Sequence, residues 1–482
     1  MIADRERIGS EIGALIGQEK VHVDEVSLKA GEGLNRSYAK AFGVYTNPLP
    51  AAVINVECTE DIVKLLKYCN DQKINVIPRT GASSGEGLLE VRDENTIILD
   101  ASAMNKLIKL DQENMMATVQ CGFPLKALEQ LANKRGLTTG HSPQSQPLAQ
   151  MGGLVATRSI GQFSTYYGGI EDMVCGLEAV MPDGRVIRIR NVPRRACGPD
   201  MRHLFLGSEG ALGIITEVTV KLFPYYPDDM WKGGYIVKNM ESGFKAIRDI
   251  MAAGYKPSVV RLYDKPDIDY NFACVELKNN EAFMFFTAEG PAEVAKVTGE
   301  GIHRLALAHE AKFIGIKAVD YWLEHRNDVC QLVGSVELKN KYREKKIIYA
   351  TTEISASWTE IVQIYNDVIE NVPKKIQNLV MLGGHVSHSY INGTNIYFVY
   401  QLKINSPETS YDEHTTLVKA ICDEVLKQET GGCVHHHGMG KQRVCYAPQE
   451  HGSSYSLLVD IKNMMDPNGI MNYGVLIQKY EK

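Results

Sequence analysis

Apolar residues along this chain fall into two registers, alternating positions that suit strands and three-to-four spacings that suit helices. Ala52 to Val56 reads as a strand. From Thr59, which caps it, a helix carries Ile62, Val63, Leu65, Leu66 and Cys69 on one face, and Ile74 to Ile77 returns as a second strand, making a βαβ unit. Thr96 to Asp100 adds a strand, and Leu107 to Leu110 with Ala117 to Cys121 predicts a hairpin. Pro124 and Gly136 bracket an amphipathic helix. Met173 to Met181 and Val186 to Arg190 form a hairpin about the Pro-Asp-Gly turn at 182–184, and Ile214 to Phe223 alternates as a strand closed by Pro224.

The pattern changes at Tyr225. Strands at 234–237, 259–263 and 282–288 alternate with helices at 242–253 and 291–309. A second set follows, with strands at 347–354, 379–387 and 395–402 and helices at 358–372 and 412–428. An antiparallel sheet backed by helices, in two related βαβ-type halves, is the expected layout. The expected fold class is therefore α+β. Residues 1–224, with a helical leader at 1–45, form one domain, 225–445 a cap, and 446–482 a helix and tail that dock back on the first domain. No low-complexity linker separates these parts, which predicts a tight interface.

Composition narrows the function. The 482 residues are 44% hydrophobic and 23% charged, as in a soluble globular protein. A formal net charge of −6 argues against nucleic acid or an anionic membrane as partner. The ten cysteines contain no CxxC pair, so reduced thiols are expected. Charges interrupt the N-terminal segment and no apolar run reaches membrane-span length, which points to the cytoplasm. A small-molecule substrate, anionic or polyhydroxylated, is the expected partner, and a homodimer is a candidate assembly.

Gly140 to Gly161 holds almost no charge and is crowded with Ser, Thr, Gln and Gly, which suits a large, flat, polar-edged ligand. Two glycine-rich loops bracket it, at 78–87 and 207–213, and their backbone N–H groups can form an anion nest. Neither is a Rossmann or Walker A fingerprint. Gly431 to Gly440 carries His435, His436 and His437, which suit proton transfer. In an extended segment His435 and His437 would face one side and His436 the other. His385 and His388 form a second cluster, with Tyr397 expected on a strand paired to that of His385. A metal would find imidazoles here but no nearby carboxylate, and none is expected. Arg261, Arg326 and Arg443 are candidate anion anchors.

With PRTGASSGEG, GHSPQSQPLAQMGGLVATRS, GPDMRHLFLGSEGALGIITEVTVK, NIYFVY and HHHGMGK in hand, the chain resembles FAD enzymes of the vanillyl-alcohol oxidase and p-cresol methylhydroxylase type. Among characterised members it looks nearest to alkyldihydroxyacetonephosphate synthase. The resemblance implies a two-subdomain FAD-binding domain and an FAD-linked oxidase C-terminal cap. It implies that Arg79, Thr80, Gly81, Ala82, Ser83 and Ser84 wrap the FAD pyrophosphate. Pro143, Gln144, Ser145, Gly152, Gly153, Thr157 and Ser159 would line the flavin and its ribityl chain, and Glu209, Gly210, Leu212, Gly213 and Ile215 the adenosine. Tyr397 and His435 to His437 fall on active-site positions and Arg261 on a substrate-side arginine. His385 stands where the synthase has arginine. Ser83 and Ser142 replace the residues that tether flavin in covalent members, so non-covalent FAD is expected. The hydroxyacid dehydrogenases' GHxGDGNxH-like metal run is absent. The implied activity is oxidation of an alcohol or 2-hydroxy acid by hydride transfer to flavin N5, with the electron acceptor open. The alternatives are a synthase-like non-redox flavoenzyme and a non-catalytic FAD- or metal-binding protein.

Overall fold

The computed structural model describes residues 5–31, 47–272, 274–332 and 335–478. Part of the expected leader, 32–45, thus lies outside the described residues. Its first helix, Arg5–Ile16, buries Ile8, Ile12 and Ile16 against the helix Thr59–Gln72.

Four sheets order the chain. The first comprises β1 (Val21–His22), β2 (Ala52–Asn55), β3 (Asn75–Arg79) and β4 (Thr96–Asp100), in the order β1-β2-β4-β3. The expected βαβ unit is therefore split, because β2 and β3 both run parallel to β4, which lies between them. Cys58, not Thr59, is the helix N-cap, and it makes no side-chain cap bond. The second sheet takes β5 (Leu107–Asp111) and β6 (Met116–Gln120), then, after β7 (Leu137–Thr138), β8 (Val174–Val180), β9 (Val186–Ile189) and β10 (Ile214–Lys221). Its order is β5-β6-β10-β8-β9, while β11 (Phe223–Pro224) pairs with β7.

The cap is one continuous antiparallel sheet. Its strands are β12 (Trp231–Val237), β13 (Val259–Tyr263), β14 (Ala282–Ala288), β15 (Lys312–Gly315), β16 (Ile347–Ser357), β17 (Leu379–Val386) and β18 (Gly393–Lys403), in the order β15-β12-β14-β13-β17-β18-β16. The two halves repeat one motif. In each, a strand, a helix and a second strand are followed by a third strand that inserts between the first two, β14 in one half and β18 in the other. The halves join where Leu262 meets Val386 and Tyr263 meets His385.

Both faces of this sheet are covered, which explains the unbroken apolar run of β14. Met284 and Phe286 pack with Ile247, Ile364 and Val368 of the helical layer, whereas Phe283 and Phe285 share a core with Val119, Leu177 and Val218 of the second sheet. The C-terminal segment returns to the first sheet. Val76 N donates to Ile470 O at 2.6 Å and Asn472 N to Val76 O at 2.9 Å, and the buried Lys462 ammonium bridges Asp466 (2.6 Å) and the Ala211 carbonyl (2.8 Å).

Candidate active site

A cavity of about 920 Å³ lies between the first two sheets and the cap. Most of the residues singled out from the sequence meet on it. Its first wall is the loop after β3, residues 79–84. Pro143, Gln144, Ser145, Gly152, Gly153, Thr157 and Ser159 form the second, and Glu209, Gly210, Gly213 and Ile215 the third. The loops pack too closely for side chains. A Cβ on Gly81 would lie 2.5 Å from the Leu148 carbonyl oxygen, and one on Gly152 would lie 2.6 Å from Cys121 Cβ. Ala82 holds φ at 53°, a left-handed backbone suited to a nest of N–H groups. Ser84 Oγ and Gln150 Oε1 are buried without hydrogen-bond partners, and both residues line the cavity. A neutral, narrow cradle with spare polar atoms fits a dinucleotide.

Three of the expected cofactor positions have side chains engaged within the protein. Leu212 is buried in the protein and does not line the cavity. The Glu209 carboxylate accepts from the N–H groups of Met439 (2.6 Å) and Gly440 (3.0 Å), tying this loop to the cap, because that pair of donors is the better match for a buried acid. Burial still pushes its carboxyl up to about 7. The Arg79 guanidinium lies against Asp100 (3.3 Å) and the Gly31 carbonyl (3.0 Å), so it is already committed within the protein.

Strand register builds the opposite side. Tyr263, His385, Tyr397 and Glu353 are direct partners across β13, β17, β18 and β16, so their side chains form one row on one face. His385 is layered between Tyr263 and Tyr397, with ring centroids 4.9 Å away on each side. Arg261, two residues before Tyr263, shares that face.

The three histidines are not extended, which corrects the expected alternation. Residues 435–437 bend around Glu353, whose Oε1 accepts from all three successive backbone N–H groups, at 3.3, 3.3 and 3.0 Å. Arg443 braces the same carboxylate through Nη2 (3.1 Å) and Nη1 (3.2 Å). It is fully buried and 3.6 Å from Glu86, so it is structural and no anion anchor. Tyr397 Oη lies 2.5 Å from His436 Nε2 and 3.5 Å from His437 Nε2. His435 sits behind, off the cavity, between Tyr390 Oη (2.8 Å) and His436 Nδ1 (2.7 Å).

The rings differ in charge. Burial lowers His435 to about 4, and burial, then the cationic His437 beside it, holds His436 well below the usual imidazole range. At His437 burial is outweighed by Glu353 and then Glu86, which push it up to about 9. Tyr397 therefore faces a neutral imidazole and an imidazolium. Burial would raise the Glu353 carboxyl, but Arg443 and His437 hold it well below the carboxylate range.

Carboxylates are present after all, since Glu86, Glu353 and Asp267 are distant in sequence and were invisible beside the histidines. Two sets of ligand atoms lie within 4.8 Å of one another, His388 with His435 and His436, and Glu86 with Glu353 and His437. The Nδ1 to Nδ1 hydrogen bond closes the first, and the Arg443 guanidinium supplies the cation of the second. Arg326 lines the cavity, donating to Ser142 Oγ (2.8 Å) and Gln162 Oε1 (2.6 Å). Burial, with Arg261 nearby, lowers it to about 10. Arg261 is buried over the Trp322 ring at 4.7 Å, and its Nε has no hydrogen-bond partner. Arg326 was named from the sequence as an anion anchor, whereas Asp267 escaped it because it sits in no motif.

This three-walled cradle closed by an antiparallel cap is that of a flavoprotein, and residues 50–190 match the model of an FAD binding domain while 234–476 match that of the FAD linked oxidases' C-terminal domain. The chain belongs to the FAD-linked oxidoreductases of the p-cresol methylhydroxylase and vanillyl-alcohol oxidase type, and it binds FAD. It is 46% identical to an uncharacterised FAD-linked oxidoreductase of Escherichia coli K12 over 99% of both chains. It is 27% identical to alkyldihydroxyacetonephosphate synthase of Caenorhabditis elegans, covering 89% of this chain and 76% of that one. Identity to the mitochondrial D-lactate dehydrogenase [cytochrome] 1 of Saccharomyces cerevisiae is 28%, covering 88% and 72%. A solved alkyldihydroxyacetonephosphate synthase shares the fold with a TM-score of 0.77 at 22% identity, covering 97% of this chain and 84% of that one. No described helix is long and apolar enough to cross a membrane.

Proposed function

We propose that this flavoprotein oxidises a small, hydroxyl-bearing anion, an alcohol or 2-hydroxy acid carrying a carboxylate or phosphate. The carrying observation is the pair Arg261 and Arg326. Both guanidiniums face the cavity, and among the described residues neither has a carboxylate within ion-pair distance. Arg261 is buried and Arg326 partly so; cations so placed without counter-ions are costly, and an anionic ligand offsets that cost. Beside them stand the proton-handling groups His385, Tyr397, His436 and His437. FAD held by the 79–84, 143–159 and 209–215 segments supplies a two-electron oxidant. The chain's own residues anchor the anion, orient the hydroxyl and receive its proton. Serines at 83 and 142 leave no side chain there to tether the flavin, so it is held non-covalently.

A second reading, a synthase-like non-redox flavoenzyme, is favoured by the synthase relatives and by the Tyr397 and three-histidine arrangement. The two separate by experiment. Purified holoenzyme is mixed without oxygen with D-lactate, glycolate and a panel of phosphorylated and unphosphorylated polyols. Loss of visible flavin absorbance with one of these is expected. If none bleaches the flavin while acyl-for-alkyl exchange is detected, the oxidoreductase reading is wrong. Tyr397→Phe should keep FAD and slow bleaching by about 100-fold or more.

A further inference from the structure

We infer that His385 is the residue that accepts the substrate's hydroxyl proton, and that Asp267, which no motif contains, is its positioning residue. The inference rests on the oxidoreductase reading above. His385 Nδ1 lies 2.5 Å from Asp267 Oδ2. Asp267 is fully buried, and its other oxygen accepts from Asn271 Nδ2 at 2.5 Å. A carboxylate only accepts, so the ring carries a hydrogen on Nδ1, and its neutral form presents the lone pair at Nε2. His385 lines the cavity, and Nε2 has no partner among the described residues. Tyr263 and Tyr397 on either side hold the ring plane. An acid, an imidazole and an open nitrogen facing a substrate pocket make the general-base arrangement of the serine hydrolase triad without its serine.

The second acid beside Asp267 is Asp264. It accepts from Tyr365 Oη (2.8 Å), Gly384 N (2.7 Å) and Asp267 N (3.0 Å). Burial, then the Asp267 charge, pushes it up to about 7, and no hydrogen bond joins its carboxylate to the histidine. His388, by contrast, is hydrogen-bonded to Ser164 Oγ at 2.8 Å, and burial holds it well below the usual range. Of the rings on the cavity, only His385 among the described residues has a carboxylate on one nitrogen and open space at the other.

In the step assigned to it, the substrate O–H bond breaks and its proton goes to His385 Nε2. The oxygen's electron pair becomes the second carbon–oxygen bond. The carbon's hydrogen leaves with its bonding pair to FAD, so the alcohol is oxidised and FAD reduced by two electrons.

The test uses holoenzyme labelled with ring-¹⁵N histidine, as wild type, Asp267→Asn and His385→Gln. An asparagine keeps the shape of Asp267, and with its oxygen still taken by Asn271 its amide donates to His385 Nδ1. The ring must then move its hydrogen to Nε2. The wild-type resonance that disappears in His385→Gln should show the Nδ1–H tautomer, and Asp267→Asn should convert it to Nε2–H. A wild-type ring protonated at Nε2, or one that Asp267→Asn leaves unchanged, overturns the inference. With the panel acid or polyol that bleaches wild type fastest, Asp267→Asn should slow bleaching by about 100-fold to 10,000-fold. The concentration giving half the maximal rate should stay within about threefold. Bleaching at the wild-type rate in both variants overturns the inference alone. A wild-type flavin that nothing bleaches overturns the oxidoreductase reading and the base with it.

Discussion

Replacing Glu353 by glutamine removes the carboxylate that both folds the three-histidine turn and charges one of its rings. Glu353 is fully buried, folds the three-histidine turn through three N–H groups, pairs with Arg443, and is the main reason that His437 is pushed from 6.5 up to about 9. At about 1.4 kcal/mol per pH unit, that rise corresponds to about 3 kcal/mol of folding stability. The sign follows from linkage. A pKa raised by folding stabilises the native state fully below the unfolded value near 6.5, and the contribution is lost as pH climbs through about 9. Glutamine can still accept from the three N–H groups, but its amide turns donors toward Arg443 and provides no charge for His437. Glu86, 3.4 Å from His437 and 3.6 Å from Arg443, compensates in part. We therefore expect the variant to be about 3 kcal/mol less stable at pH 6.5, as for other buried pairs broken on one side. That deficit should shrink by about 2 kcal/mol by pH 10. The three tryptophans, Trp231, Trp322 and Trp358, all lie in the cap, so their fluorescence in urea follows the unfolding of the part that Glu353 braces. A stability difference that stays constant from pH 6.5 to 10 would refute the argument that Glu353 charges His437.

Three more outcomes follow. Arg326→Met should weaken a productive anionic substrate by about 10-fold to 100-fold, the loss of a charge-assisted contact, and leave a neutral polyol nearly untouched; equal losses for both would contradict an anion anchor. Gly81→Ala places a Cβ 2.5 Å from the Leu148 carbonyl oxygen, and backbone cannot swing aside, so the FAD content of the purified protein should drop with a destabilisation of about 1 to 3 kcal/mol; full FAD occupancy would show that the two loops can part. Acid precipitation should release all of the yellow colour into the supernatant, since positions 83 and 142 are both serine; colour retained in the pellet would reveal a covalent link elsewhere.

Much of the architecture was legible because it is local. Hydrophobic period alone located β4, β13 and β14. Pairing was harder. The order of strands depends on which edges are free when the chain collapses, so β4 inserting between β2 and β3, and β18 between β16 and β17, left no mark in the local pattern. At the site, glycine loops and the histidine run were conspicuous as residue types. Leu212 looked equivalent to its neighbours until its side chain proved to be part of the core. Arg443, beside the histidines in sequence, turned inward to Glu353 and Glu86 instead of toward a ligand.

What this sequence determined by itself was the set of loops that can approach a large neutral cofactor, because a missing Cβ and a neutral hydrogen-bonding composition act within a few residues. Tertiary structure alone decided the charges. Glu353 meets His437 across 84 residues and Asp267 meets His385 across 118. Coulomb and hydrogen-bond energies depend on distance in space and on the burial around each pair. Neither is set before the cap sheet brings four strands into register, and only then does one histidine become a cation and another an open base.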